Sequence, residues 1–297
     1  MIKGLAITPP VLGRISIGKV VERNGKWLPE KDDQFTITTQ VQTRDGWHLH
    51  PVDEKLRKAQ GKIRSIPVRM LFNDPELNFR VDYSVFDRAT GRPVCVGNGE
   101  TCKRITAEGM KTLPCPSPHA CDLAQERGCK PYGRLNVLIG EEDPMGSFVF
   151  RTTGYNSIRT LTARLLYLQA VSGNKLSCMP LELRLRGKST RQSHGTPIYY
   201  VDLVLDSTAT LAGALVECQR MALERAEAGF DQAALDEAAR KGFANGEFED
   251  TEEDAGAVVE EFFPEAGPPQ GQAKAGKNSL QQRLASKVQT MQGGTDK

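Results

Sequence analysis

Five of the seven cysteines of this 297-residue chain fall between Cys95 and Cys129. Four of them, Cys102, Cys115, Cys121 and Cys129, are separated by 12, 5 and 7 residues in a stretch rich in Pro and Gly. In a reducing compartment such a cluster holds a metal more often than it forms disulfides. Thiolates are soft ligands, and four at short loop spacing suit tetrahedral zinc or, less often, an iron–sulfur cluster. Four thiolates leave no open position for water, so the expected site is structural rather than catalytic. It would pin a loop that has few apolar residues of its own. Cys95, in a predicted strand, is a packed thiol or a spare ligand. His119 is a candidate replacement for one of the four.

Other residues suggest other chemistry. In the segment 181–188, Arg184, Arg186 and Lys188 alternate with Leu183 and Leu185, so one strand face is basic. Arg191 and His194 extend the charge, and Tyr199 and Tyr200 begin the next strand. Positive charge with aromatics on a sheet face is one way to hold a nucleic-acid strand; an ordinary solvated face is the alternative. His48 and His50, with Asp53 nearby, have the alternation of a metal-ligand dyad. Surface or turn histidines are the plainer reading. Phe262 and Phe263 lie in an acidic stretch, Glu260 to Pro264, of a kind that docks on a partner groove; a chance pair of Phe in a tail is the equal alternative. No nucleophile elbow, phosphate loop, dinucleotide fingerprint or HExxH motif is present. This weighs against an enzyme.

Charge is unevenly spread. The net +2 divides into +9 over residues 1–221, −11 over 222–265 and +4 over 266–297. A basic body with an acidic segment fits a protein that meets nucleic acid, or simply one with a solvating tail. The first residues hold no long apolar run, and no segment approaches the roughly 20 apolar residues of a membrane span. The expected location is the cytoplasm.

The elements that must position these residues are mostly strands. Alternation marks Arg14–Val21 and Gln34–Val41, and Lys62–Leu71 contains Pro67, which favours an edge or a bulge. Asn78–Phe86 and Arg92–Val96 flank a hairpin turn at Asp87–Gly91. Arg134–Ile139 pairs with Ser147–Arg151, and Leu181–Lys188 with Ile198–Asp206. A helix begins near Asn156 or Ser157 with Ile158, Leu161, Leu165 and Leu168 on one face. A second runs from about Ser207 to Ala228, with Leu211, Leu215, Cys218 and Leu223 as its stripe. The expected fold is α+β: a mainly antiparallel β body over 1–228 with a Cys-rich zinc loop and two or more packed helices. A short helical extension over 229–246 and a disordered acidic, Pro/Gly-rich tail over 247–297 would follow. Within the tail, Ser279–Met291 is a candidate transient helix.

A family resemblance rests on ordered motifs: Leu12-Gly-Arg-Ile-Ser-Ile-Gly18, Cys102-Lys-Arg104, Leu113-Pro-Cys-Pro116, Cys121, Cys129-Lys-Pro131, Arg134-Leu-Asn-Val137 and Met145 through Asn156. Over roughly residues 10–170 the chain resembles the recombination directionality factors that accompany serine integrases of phages and mobile elements. It is also similar to relatives described as metal-binding or hydrolase proteins. The resemblance implies a non-catalytic accessory protein that binds an integrase on its DNA and shifts its arrangement. It carries the four cysteines over as a zinc site. A single-stranded nucleic-acid-binding protein for replication or repair is the second reading. A metal-dependent hydrolase using His48, His50 and Asp53 is the third.

Overall fold

The computed structural model describes residues 9–23, 26–43, 46–140, 143, 145–189, 197–245 and 255–263. Twelve strands and seven α-helices are assigned among them. Nine strands make one sheet: β1 (Val11–Arg23), β2 (Lys26–Thr43), β3 (Gly46–Leu49), β5 (Phe79–Phe86), β6 (Pro93–Gly97), β7 (Thr101–Thr106), β8 (Gly109–Pro114), β9 (Lys130–Val137) and β10 (Ser147–Thr152). Their order is β3-β2-β1-β10-β9-β5-β6-β7-β8. Only the β1–β10 pairing is parallel. A three-stranded antiparallel sheet runs β12 (Ile198–Leu205), β11 (Leu181–Lys188), β4 (Ser65–Val68). The fold is α+β with a mainly β body, as the alternation pattern predicts.

The two sheets share one apolar core, and the strand period of two explains it. Ile37, Ile15, Phe150, Leu135 and Phe79 form a single cross-strand row on the core face of the large sheet. Ile66 and Val68 of β4, Leu181 and Leu183 of β11, and Val201 and Leu203 of β12 meet that face. Helix α4 (Tyr155–Val171) adds Ile158, Leu161, Leu165 and Leu168, all buried. The helix begins earlier than expected, with Gly154 at its N-cap. Ser157 Oγ accepts a hydrogen bond from Val201 N at 3.0 Å, so α4 covers the edge of β12. Pro67 sits in β4, an edge strand, where a missing N–H costs no ladder bond.

Several elements differ from expectation. The first 100 residues are not wholly β: α1 (Pro51–Gln60) and the single turn α2 (Pro75–Asn78) interrupt them. Helix α5 (Leu211–Glu227) buries Ala214 and Cys218, whereas Leu211 and Leu223 are exposed. Its contact stripe is narrower than the leucines suggested, with Leu215, Met221 and Ala222 only partly buried. Helix α6 (Gln232–Asn245) docks through Ala239 on Leu71, Phe72 and Leu77. Helix α7 (Ala255–Phe262) lies where a disordered tail was expected. Arg191, His194 and the segment Ser279–Met291 fall outside the described residues. No helix among the described residues is long and apolar enough to cross a membrane.

Candidate metal centre

The cysteine segment is a lobe built on the far edge of the large sheet. Strands β6, β7 and β8 continue the sheet beyond β5 as a meander. A 3-10 turn (Pro118–Ala120), helix α3 (Asp122–Arg127) and the start of β9 close it. The lobe was expected to be a loop, because its Pro, Gly and Cys content hides the alternation of β7 and β8.

The register places the thiols. Cys95 on β6 pairs with Arg104 on β7, and Gly97 pairs with Cys102. Cys95, Cys102 and Arg104 therefore share one face. At Gly97 a side chain would meet Cys102 Cβ at 2.6 Å and Thr101 O at 2.8 Å, so a glycine there lets β7 approach closely. Cys115 follows β8 directly, and its N–H bonds Glu100 O at 2.8 Å. Cys121 is the N-cap residue of α3. Gly128 ends that helix in the left-handed conformation at φ 76°, which turns the chain into Cys129.

Cys95, Cys102, Cys115 and Cys129 pack in one cluster with Val85, Val94, Leu113 and Leu123. Arg104 reaches into it: Nη2 donates to Cys121 Sγ at 3.5 Å. A further hydrogen bond to Cys95 is the main reason its guanidinium holds its proton more tightly than usual. Burial pushes the Cys102 thiol up to about 11, helped by a hydrogen bond with Cys95. Burial also pushes Cys129 up to about 12, reinforced by the negative potential of Cys95, Cys115 and Cys121. A bound cation would invert that logic, since coordination deprotonates a thiol outright. All seven cysteines are free thiols. The structure thus packs Cys102, Cys115 and Cys129 of the predicted quartet with Cys95, and ties Cys121 to them through Arg104. His119 lies exposed on the 3-10 turn. The donor chemistry, soft thiolates, suits zinc. The arrangement is not a closed ligand shell: no group of three or more His, Cys, Asp or Glu among the described residues is set to hold a metal ion.

The predicted basic face is largely neutralised by its own neighbours. Arg184 pairs with Glu182, whose side chain is 3% exposed. Arg186 and Arg164 both pair with Asp202, at 3.3 and 3.0 Å. Lys188 donates to Asn156 Oδ1 at 2.7 Å. Tyr199 pairs with Gly187 and so points to the opposite face; Tyr200, opposite Arg186, is the aromatic beside the arginines. The register thus splits the predicted face, leaving Tyr199 on the side away from Arg184 and Arg186.

The histidine dyad is also not assembled. His48 is an exposed residue of β3, whereas His50 caps α1, its Nδ1 accepting from Val52 N at 3.2 Å. Asp53 is fully buried and spends both oxygens locally, on Ile37 N at 2.8 Å and on Arg57 at 2.5 and 3.2 Å. Phe262 is not presented to solvent. It is fully buried, edge-on to Phe86 at 5.0 Å, and Phe263 packs beside it.

Strand pairing assembles a different basic feature. On the large sheet's second face, Arg151, Arg134 and Arg80 stand in one cross-strand row on β10, β9 and β5. Arg14 of β1 lies 3.9 Å from the centre of the Trp47 ring on the same sheet. The arginines are spaced by tens of residues, so only strand pairing reveals the row.

Residues 12–206 match the family described as Gp3-like, recombination directionality factor-like. The matched span runs from β1 through β12 and contains the whole cysteine lobe. No match is found among curated proteins or among solved structures. With well over half of its length matched, the chain belongs to the recombination directionality factor-like family.

Proposed function

We propose that this protein is a non-catalytic accessory factor of site-specific DNA recombination in a phage or related mobile element. The observation that carries this reading is the family match across the entire two-sheet body. A serine integrase, alone or on its DNA, is the partner the reading names. In thermodynamic terms the factor is a ligand with different affinities for two integrase arrangements, and it shifts their populations by that difference. The residues in hand support a binding role: His50 and Asp53 serve local structure, and the cysteines are crowded rather than aimed at an open cleft.

We further propose that the lobe holds a structural zinc ion through Cys102, Cys115, Cys121 and Cys129, with Cys95 as a fifth thiol beside them. When bound, zinc supplies a cross-link between β7, the β8 end, α3 and the start of β9. Arg104 would lower the cost of gathering thiolates by placing a cation beside Cys95 and Cys121. The working surfaces are then those the lobe orders rather than the metal itself.

The test is a gel-shift assay of candidate serine integrases on attachment-site DNA, with and without this protein. The expected result is a slower integrase–DNA complex and a change in which sites are joined. Unaltered complexes across the integrases encoded beside the gene would overturn the reading.

A further inference from the structure

Helix α7 is docked on the body by two kinds of contact. Phe86 and Tyr132 form an aromatic floor, edge-on to each other at 5.2 Å. The Phe262 ring stands on both, 5.0 Å from Phe86 and 6.4 Å from Tyr132, and Val258 completes the cluster. Val258, Val259 and Phe262 are all buried, giving an i, i+1, i+4 stripe on one helix face. The rim is polar and bonds one acid. Glu261 Oε1 accepts from Thr153 N at 2.7 Å and from Thr153 Oγ1 at 3.3 Å, just ahead of α4. Lys130 Nζ donates to Phe262 O at 3.0 Å, a cation at the helix C-terminus where the dipole favours it. Arg88 lies 5.7 Å from the Phe263 ring centre. The Arg151–Arg134–Arg80 row runs alongside, with Arg134 5.4 Å from the Tyr132 ring.

Every residue of this groove lies within the family-matched span 12–206, whereas its occupant, at 255–263, lies outside it. The groove therefore belongs to the body, and α7 is brought to it by the C-terminal extension. An eight-residue helix does not hold its shape alone in water, so α7 is ordered by the groove.

We propose that the groove of Phe86, Lys130, Tyr132 and Thr153 is a peptide-binding site for an acidic amphipathic helix of a partner protein, and that α7 is its built-in competitor. The ligand it fits carries two adjacent aliphatic residues and, after one intervening residue, an acid followed by an aromatic pair. This is helix-in-groove recognition with charge-assisted rim bonds. A tethered occupant faces the groove at high effective concentration, so a partner binds only as far as it outcompetes α7. This goes beyond the accessory reading, and its test uses no recombinase.

The probe is a fluorescein-labelled peptide of residues 253–263, titrated into the full-length chain by fluorescence anisotropy. The Phe262→Ala variant of the full chain should bind it about 10-fold or more tightly than the wild type, because the competitor is weakened. A peptide with Glu261→Lys and Phe262→Ala should bind neither protein. Equal or absent binding to both proteins would overturn the proposal. Hydrogen exchange on the wild type keeps the test independent of how the variant folds. Excess unlabelled peptide should strip protection from the amides of 258–263 while leaving β9 and β10 protected. Unchanged protection of α7 would count against the site. So would release of α7 by a single-stranded oligonucleotide but not by the peptide, which would assign the face to nucleic acid.

Discussion

The two-sheet body and the cysteine lobe share a continuous sheet but are held by different means. The body encloses a core in which Phe35, Ile37, Ile66, Leu135, Leu161 and Leu183 are essentially inaccessible to solvent. The lobe buries Cys95 and Cys102 against Val85, while β8 is almost wholly exposed and α3 buries nothing. Apolar packing specifies the first region. The second has the backbone of a meander without enough interior to keep it, and its thiols are where a core would be. A protein can extend a sheet past its own core if a cross-link replaces the missing burial.

The largest effects should confirm how the body is held. Phe150→Ala removes the centre of the cross-strand row and should cost about 3–5 kcal/mol. Equilibrium denaturation would measure it, and the body and lobe should unfold together. Asp53→Ala should cost about 3 kcal/mol, since it leaves the Ile37 N–H and part of the Arg57 guanidinium without their acceptor in a buried site. A loss under about 1 kcal/mol would show that water replaces the carboxylate readily.

Changes in the lobe should act locally. Cys115→Ser, or removal of metal with a chelator, should raise amide exchange in β7, β8 and α3 about 10-fold or more while β1, β9 and β10 keep their protection. Equal loss in both regions would erase the contrast between them. The smallest effect concerns the turn at the root of the lobe. Asp87 accepts from Thr90 N at 2.9 Å, Thr90 Oγ1 at 2.9 Å and Ala89 N at 3.1 Å, and these bonds, Thr90 first, hold its pKa below the ordinary 3.8. A carboxylate with a depressed folded pKa stabilises above its unfolded value, and that contribution fades as pH falls through the folded one. Asp87→Ala should therefore cost about 1 kcal/mol at pH 7, with the gap closing once pH drops below 3.8.

Much of the body was legible because its strands alternate cleanly. Leu181–Lys188 matches β11 residue for residue, and Ile158, Leu161, Leu165 and Leu168 are the buried face of α4. What was missed depends on partners distant in sequence. Helix α1 offers only Val52 and Leu56 as apolar signals; its docking rests on Asp53 and Arg57 bonding to β2. The face of Tyr199 could not be assigned without the register that sets it opposite Gly187. Acidic composition hid α7, although Val258, Val259 and Phe262 already carried a helical stripe. In the lobe the cysteines stood out by type, Cys95 among them as a packed thiol or spare ligand, whereas Arg104 joined them only through β6–β7 pairing.

Elemental analysis of the purified native protein, with a visible spectrum and thiol titration, tests most directly whether thiols and metal replace a core in the lobe. The predicted result is one zinc per chain, no visible absorption band, and cluster thiols that react only after a chelator is added. A metal-free protein whose lobe keeps its amide protection, or the absorption of an iron–sulfur cluster, would contradict it.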